Sequence, residues 1–129
     1  MRSIGFRVKP GSIAFVVLEG TRTHPVQIAG EERKLPKTGG WSTRLGWVRK
    51  EVQEVVHQFS PDTAAFRARE ATAKATGKSA EHRMQIEGVL QEAIFSSDQE
   101  LESIPLVASQ IKKALGFSGK AADVASFLN

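Results

Sequence analysis

Residues 4–20 read IGFRVKPGSIAFVVLEG, and the fold turns on this stretch. It has the form of a strand, a tight turn and a second strand. Pro10-Gly11-Ser12 supplies the turn chemistry, and apolar β-formers fill Ile13 to Leu18. The first third of the chain alternates as antiparallel sheet does, so Ser3–Lys9 and Ser12–Glu19 are expected to form a hairpin. Lys9 stands out, a cation placed immediately before the turn.

Outward from the hairpin, Pro25–Leu35 offers a third, more polar strand suited to a sheet edge, and PKTGG (Pro36–Gly40) breaks it. The period then changes. Trp41, Leu45, Val48, Val52, Val55, Val56 and Phe59 fall at three- and four-residue steps, one apolar helix face. SPD (Ser60–Asp62) ends that helix, because proline cannot continue it. TAAFRAR (Thr63–Arg69) is a short strand with Ala64–Phe66 buried, and TAKATGKS (Thr72–Ser79) is a polar loop. A helix from Ser79 to Ser97 presents Ile86, Val89, Leu90, Ala93 and Ile94. Glu102–Ser109 can form a last strand, Ser109–Gly116 a short helix with a glycine stop, and the final eleven residues one more helix. The order β-β-β-α-β-α-β-α-α, without internal repeats, gives a sheet with helices packed on it.

The 129 residues suit one domain spanning 1–129, with 40% hydrophobic and 25% charged residues in the ordinary globular range. The chain has no cysteine, which excludes disulfides and thiolate metal sites and fits a reducing compartment. No apolar run approaches the ~20 residues of a membrane helix, and no secretory pattern opens the chain. A cytoplasmic protein is expected. Eighteen Lys and Arg against fourteen Asp and Glu give a net charge of +4, a mild bias toward polyanions.

Generic chemical motifs are absent. His24, His57 and His82 lack ligand spacing and read as surface or helix-side residues. There is no G-x-S-x-G, Walker loop or G-x-G-x-x-G, and Gly39-Gly40 reads as a helix lead-in. Trp41 belongs to the apolar helix face. Trp47 sits off it and is the better candidate for stacking on a base.

The order of elements resembles the ribonuclease H-like fold, and within it the chain resembles the RuvC-type Holliday junction resolvases. The likeness begins at GFRVKPGSIAFVVLEG, similar to their first hairpin. It continues at SPDTAAFRARE (60–70), similar to their fourth strand, and at GKSAEHRMQIEGVL (77–90), similar to the start of their central helix. VASQIKKALGFSGKAADVASFL (107–128) is similar to the segment in which they carry paired lysines, a glycine and a further lysine. The resemblance spans nearly the whole chain. It implies an α/β domain with a mixed five-stranded sheet, three antiparallel strands first, flanked by helices.

The departures concern the metal. The resemblance implies carboxylates on the first strand, the fourth strand and a C-terminal helix. The first position falls on Lys9 and the second on Arg67. KAAD (Lys120–Asp123) sets either Lys120 and Asp123 on the C-terminal pair, or Lys120 on the lysine that precedes it. Phosphodiester cleavage needs hard anionic oxygens around Mg²⁺. Unit charges at ~4 Å interact by ~4 kcal/mol at an effective dielectric of 20, so a lysine repels a divalent ion by roughly twice that.

No metal or other cofactor is therefore expected. Two fates for the pocket stay open. Lys9 and Arg67 can stand in for the metal's charge and dock a phosphate that nothing cuts. Alternatively Lys9 reaches into solvent and Arg67 pairs with Glu70 or Glu19. Lys112, Lys113 and Lys120 are the next candidate phosphate contacts.

Three functions follow from the resemblance. The first is an inactive RuvC-like domain that binds nucleic acid, DNA foremost and branched DNA included, or serves a DNA-processing assembly. The second is an interaction protein, meeting a protein partner or its own copy through helix 79–97. The third is a metal nuclease with a site rebuilt from Glu19, Glu70 and Asp123.

Overall fold

The computed structural model describes residues 1–21, 24–67, 77–97 and 101–106. The elements are β1 (Arg2–Lys9), β2 (Ser12–Gly20), β3 (Pro25–Lys34), α1 (Trp41–Phe59), β4 (Thr63–Arg67), α2 (Gly77–Phe95) and β5 (Ser103–Leu106). They build a five-stranded mixed sheet in the order β3-β2-β1-β4-β5. β1 and β2 pair antiparallel from Arg2 opposite Glu19 to Lys9 opposite Ser12, so the turn is Pro10-Gly11 alone and Ser12 already belongs to β2. β3 pairs antiparallel with β2, while β4 joins β1, and β5 joins β4, in parallel. The two helices expected after residue 108 lie outside the described residues.

One face of the sheet carries the helices. Ile4, Phe6 and Val8 of β1 point there with Ile13, Phe15 and Val17 of β2 and Ala64 and Phe66 of β4. They meet Val48, Val52, Val55 and Val56 of α1 and Ile86, Leu90, Ala93 and Ile94 of α2. Each fully buried aliphatic or aromatic side chain of this kind stabilises the fold by about 1.5–3 kcal/mol. Phe15 links the layers, its ring 6.3 Å from Phe6 and 6.0 Å from Phe59.

Two expectations change here. Trp47 packs against this core instead of standing free for a base, because the apolar face of α1 is wider than a single stripe. The apolar positions of α2 also face inward: Ile86, Leu90, Ala93 and Ile94 are fully buried and Val89 packs beside them. Ile86, Leu90, Ala93 and Ile94 fill the domain's own core and are not available to a second copy.

The start of the sheet is fixed by reciprocal bonds. Arg2 N–H donates to Asp62 Oδ2 at 2.8 Å, and Asp62 N–H donates to Arg2 O at 2.7 Å. α1 ends at Phe59 with Ser60 in the left-handed conformation (φ 44°), its N–H closing on Val56 O at 2.9 Å. Pro61 then prevents further helix, and the chain enters β4 beside β1. This entry sets the parallel register, Ser3 opposite Thr63 through Phe6 opposite Phe66.

Candidate nucleic-acid interface

Side chains alternate across a strand, so the residues between those of the core point to the opposite face. That face is buried at Ala14, Val16, Leu18 and Ala65. Toward the Pro10-Gly11 turn it becomes polar. Arg7 and Lys9 lie there on β1, Ser12 on β2, Glu32 on β3 and Arg67 at the end of β4.

Phe6 stands opposite Phe66, so Arg7 and Arg67 are the next neighbours across strands about 4.8 Å apart. Neither arginine has a carboxylate partner among the described residues. The charges of Arg67 and of Arg83, on the second turn of α2, both act on Arg7. Burial, first, and then these two cations hold the Arg7 guanidinium below its ordinary range, with Glu32 opposing them. Arg83 is paired with Glu87 one turn on, Nε to Oε1 at 3.1 Å.

Lys9 and Arg67, expected from the sequence, therefore share one face at one end of adjacent strands. Lys9 does not simply reach into solvent. Its Nζ lies 3.6 Å from Glu32 Oε2, and Ser12 Oγ donates to Glu32 Oε1 at 2.9 Å. The Ser12 hydroxyl, first, and the Lys9 charge hold the Glu32 carboxyl below the usual carboxylate range.

Glu19 is excluded from this site. It pairs with Arg2 at 3.3 Å, at the far end of the hairpin, so it neither neutralises Arg67 nor helps rebuild an acidic centre there. Glu70, Lys112, Lys113, Lys120 and Asp123 lie outside the described residues. The sequence reading missed Arg7, Arg83 and Glu32. Arg7 could have been found, since it shares the two-residue period with Lys9. Arg83 and Glu32 could not, because only the packing of α2 and the pairing of β3 bring them to this edge.

A divalent cation does not fit what is described. Among the described residues Glu32 is the carboxylate on this face at the turn end of the sheet, and it is already engaged by Ser12 and Lys9. Among the described residues no three His, Asp or Glu gather as metal ligands. The arrangement suits an anion, since guanidinium and ammonium groups give charge-assisted bonds to phosphate oxygens.

The sheet order and the placement of the helices define a ribonuclease H-like, RuvC-like fold. Thermus thermophilus RuvC in complex with a Holliday junction substrate superposes on 99% of this chain and 78% of its own, with a TM-score of 0.74 at 21% identity. A second structure of that RuvC gives a TM-score of 0.73 at 22% identity, over 99% of this chain and 80% of the other. The fowlpox virus resolvase, in complex with Holliday junction DNA, matches 98% of this chain and 84% of its own, at a TM-score of 0.54 and 12% identity. No protein-family model matches the sequence, and no curated protein matches it. Among the described residues, no helix is long and apolar enough to cross a membrane.

Proposed function

We propose that this chain is a RuvC-like domain that binds DNA, branched or duplex, through its phosphates and does not cleave it. One observation carries the reading: where the family resemblance implies metal-binding carboxylates, Lys9 and Arg67 stand on one face of adjacent strands, with Arg7 between them. Positive charge at that position attracts the substrate's phosphates and repels the ion that would cut them. The resolvases sharing the fold are in complex with Holliday junctions, which supports branched DNA as the first ligand to try.

Binding to labelled duplex and four-way-junction DNA across a salt series tests this. With Lys9, Arg67, Lys112, Lys113 and Lys120 each meeting a phosphate, the log–log slope is roughly −4 to −5. Replacing Lys112 and Lys113 together by alanine makes it shallower by about two. In the same buffer Mg²⁺ and Mn²⁺ leave the DNA intact, and calorimetric titration shows no stoichiometric metal site. Cleavage, or a stoichiometric micromolar Mn²⁺ site lined by Lys9 and Arg67, overturns the reading.

A second reading, an interaction protein, is favoured by Met84 and Phe95. Both lie on α2 outside its core-facing residues and are 58% and 54% exposed. Sedimentation of the wild type and of Met84→Ser/Phe95→Ser at tens of micromolar tests it. A dimer that the double variant dissolves supports it, and a monomer rejects self-association.

A further inference from the structure

Behind the Pro10-Gly11 turn, Lys34, Lys37, Arg44 and His82 ring a hollow of roughly 410 Å³, with Trp41 on its wall. None of its lining residues is acidic. It adjoins the cationic edge of the sheet through neighbouring residues. Lys9 precedes the Pro10-Gly11 turn, His82 precedes Arg83 on α2, and Lys34 is two residues from Glu32.

Three features give it anion chemistry. Lys34 and Lys37 are exposed, and Lys37 has no ion-pair partner among the described residues. The hollow lies against the first turn of α1, where Gly40 gives no side-chain cap and no acid follows, so helix N–H groups and the helix dipole add to the positive potential. Arg44 is incompletely satisfied. Its Nη2 donates to Lys37 O at 2.7 Å, while its buried Nε has no acceptor, alone in this among the described side chains. No carboxylate pairs with Arg44 among the described residues, so its charge adds to that of Lys34 and Lys37 around the hollow.

We propose that this hollow is a second phosphate site, continuous with the Arg7–Lys9–Arg67 edge, so that a nucleic-acid backbone crosses the turn and places one phosphate on each side of it. The proposal rests on the DNA-binding reading for the source of the phosphate, but the hollow's affinity for the anion does not. The indole of Trp41 stacks on His82 at 3.8 Å between ring centres and donates to Gln85. An anion entering beside His82 disturbs that stack, and Trp41 emission reports it.

The test uses the full chain with inorganic phosphate and, separately, a short DNA duplex. Phosphate is expected to change tryptophan emission with saturation at about 1–10 mM, the range a few charge-assisted contacts give. The change disappears in Trp41→Phe, which keeps Trp47, and Lys34→Gln/Lys37→Gln weakens it about tenfold or more. On DNA the lysine pair variant makes the salt slope shallower by about two. An unchanged slope and an unchanged phosphate titration in that variant, while Arg7→Gln/Arg67→Gln weakens DNA binding, overturn the second site and leave the DNA reading standing. Phosphate binding through Lys34 and Lys37 without any DNA affinity supports the site and rejects DNA as its ligand. No emission change with either ligand overturns the site.

Discussion

Arg2 opens β1 and Lys9 closes it, and the two ends handle positive charge in opposite ways. At the Arg2 end the cation is answered on every side. Its guanidinium donates to Phe59 O at 2.6 Å and to Glu19 at 3.3 Å, and its backbone N–H donates to Asp62. That cluster ties the hairpin to the end of α1 and the start of β4. At the other end Glu32 pairs with Lys9 alone, Arg7 and Arg67 have no carboxylate partner among the described residues, and the charge of Arg83, itself paired with Glu87, also acts on Arg7. Charges that stabilise a fold come with partners, whereas cations that the backbone register holds together without carboxylates among the described residues are stabilised when an anion is supplied to them. The first arrangement is structural, and the second is the surface proposed to bind DNA.

The sharpest way to break this comparison is affinity. Arg7→Gln/Arg67→Gln should weaken DNA binding about a hundredfold at low salt, roughly tenfold per charge-assisted contact. Arg2→Gln should leave it within about twofold, as fluorescence anisotropy can measure. An equal loss from Arg2→Gln would mean that both ends contribute only to a diffuse field.

Stability should show the reverse order. Arg2→Ala loses its bonds to Phe59 O and Glu19 and should cost about 1–2 kcal/mol in urea unfolding, a charge-assisted bond discounted for partial exposure. Arg67→Gln relieves repulsion with Arg7 and should be neutral or gain up to about 0.5 kcal/mol without DNA. Arg67→Gln destabilising the protein as much as Arg2→Ala would make the cationic end structural too.

The smallest effect concerns Glu32, whose carboxyl is lowered by Ser12 and then Lys9. A carboxyl with a lowered folded pKa contributes stability that is complete above its unfolded pKa and lost as pH falls through the folded one. Urea midpoints of the wild type and Glu32→Gln should therefore differ slightly at neutral pH and converge in acid. A gap that stays constant with pH would show that Glu32 acts by packing and not by charge. In DNA binding Glu32→Gln should act oppositely to Lys9→Gln, tightening where the latter weakens, because Glu32 competes with phosphate for the same ammonium group.

Much of the fold was legible because local chemistry and tertiary structure agreed. The alternation of β1, the turn chemistry of Pro10-Gly11, the helix face of Val48, Val52, Val55 and Val56, and the stop at Ser60-Pro61 each specify an element through backbone preference or period. The boundaries moved by a residue or two, as with α2, which begins at Gly77 instead of Ser79. Trp47 and the apolar residues of α2 were misplaced for one reason. A periodic face says that a helix is buried, but not against what, and here both helices bury theirs on the same sheet.

The sequence by itself determined that cations stand before the first turn and at the end of the fourth strand, because position in a motif is a property of the chain. Only the tertiary structure decided what those cations amount to. Parallel pairing sets Arg7 beside Arg67, antiparallel pairing brings Glu32 to Lys9, and the packing of α2 lets the charge of Arg83 act on Arg7. It also sends Glu19 to the far end of the hairpin, with Arg2. Charge acts through distance, falling off within about 10 Å at ordinary salt, and distances between residues far apart in the chain exist only once the sheet has formed.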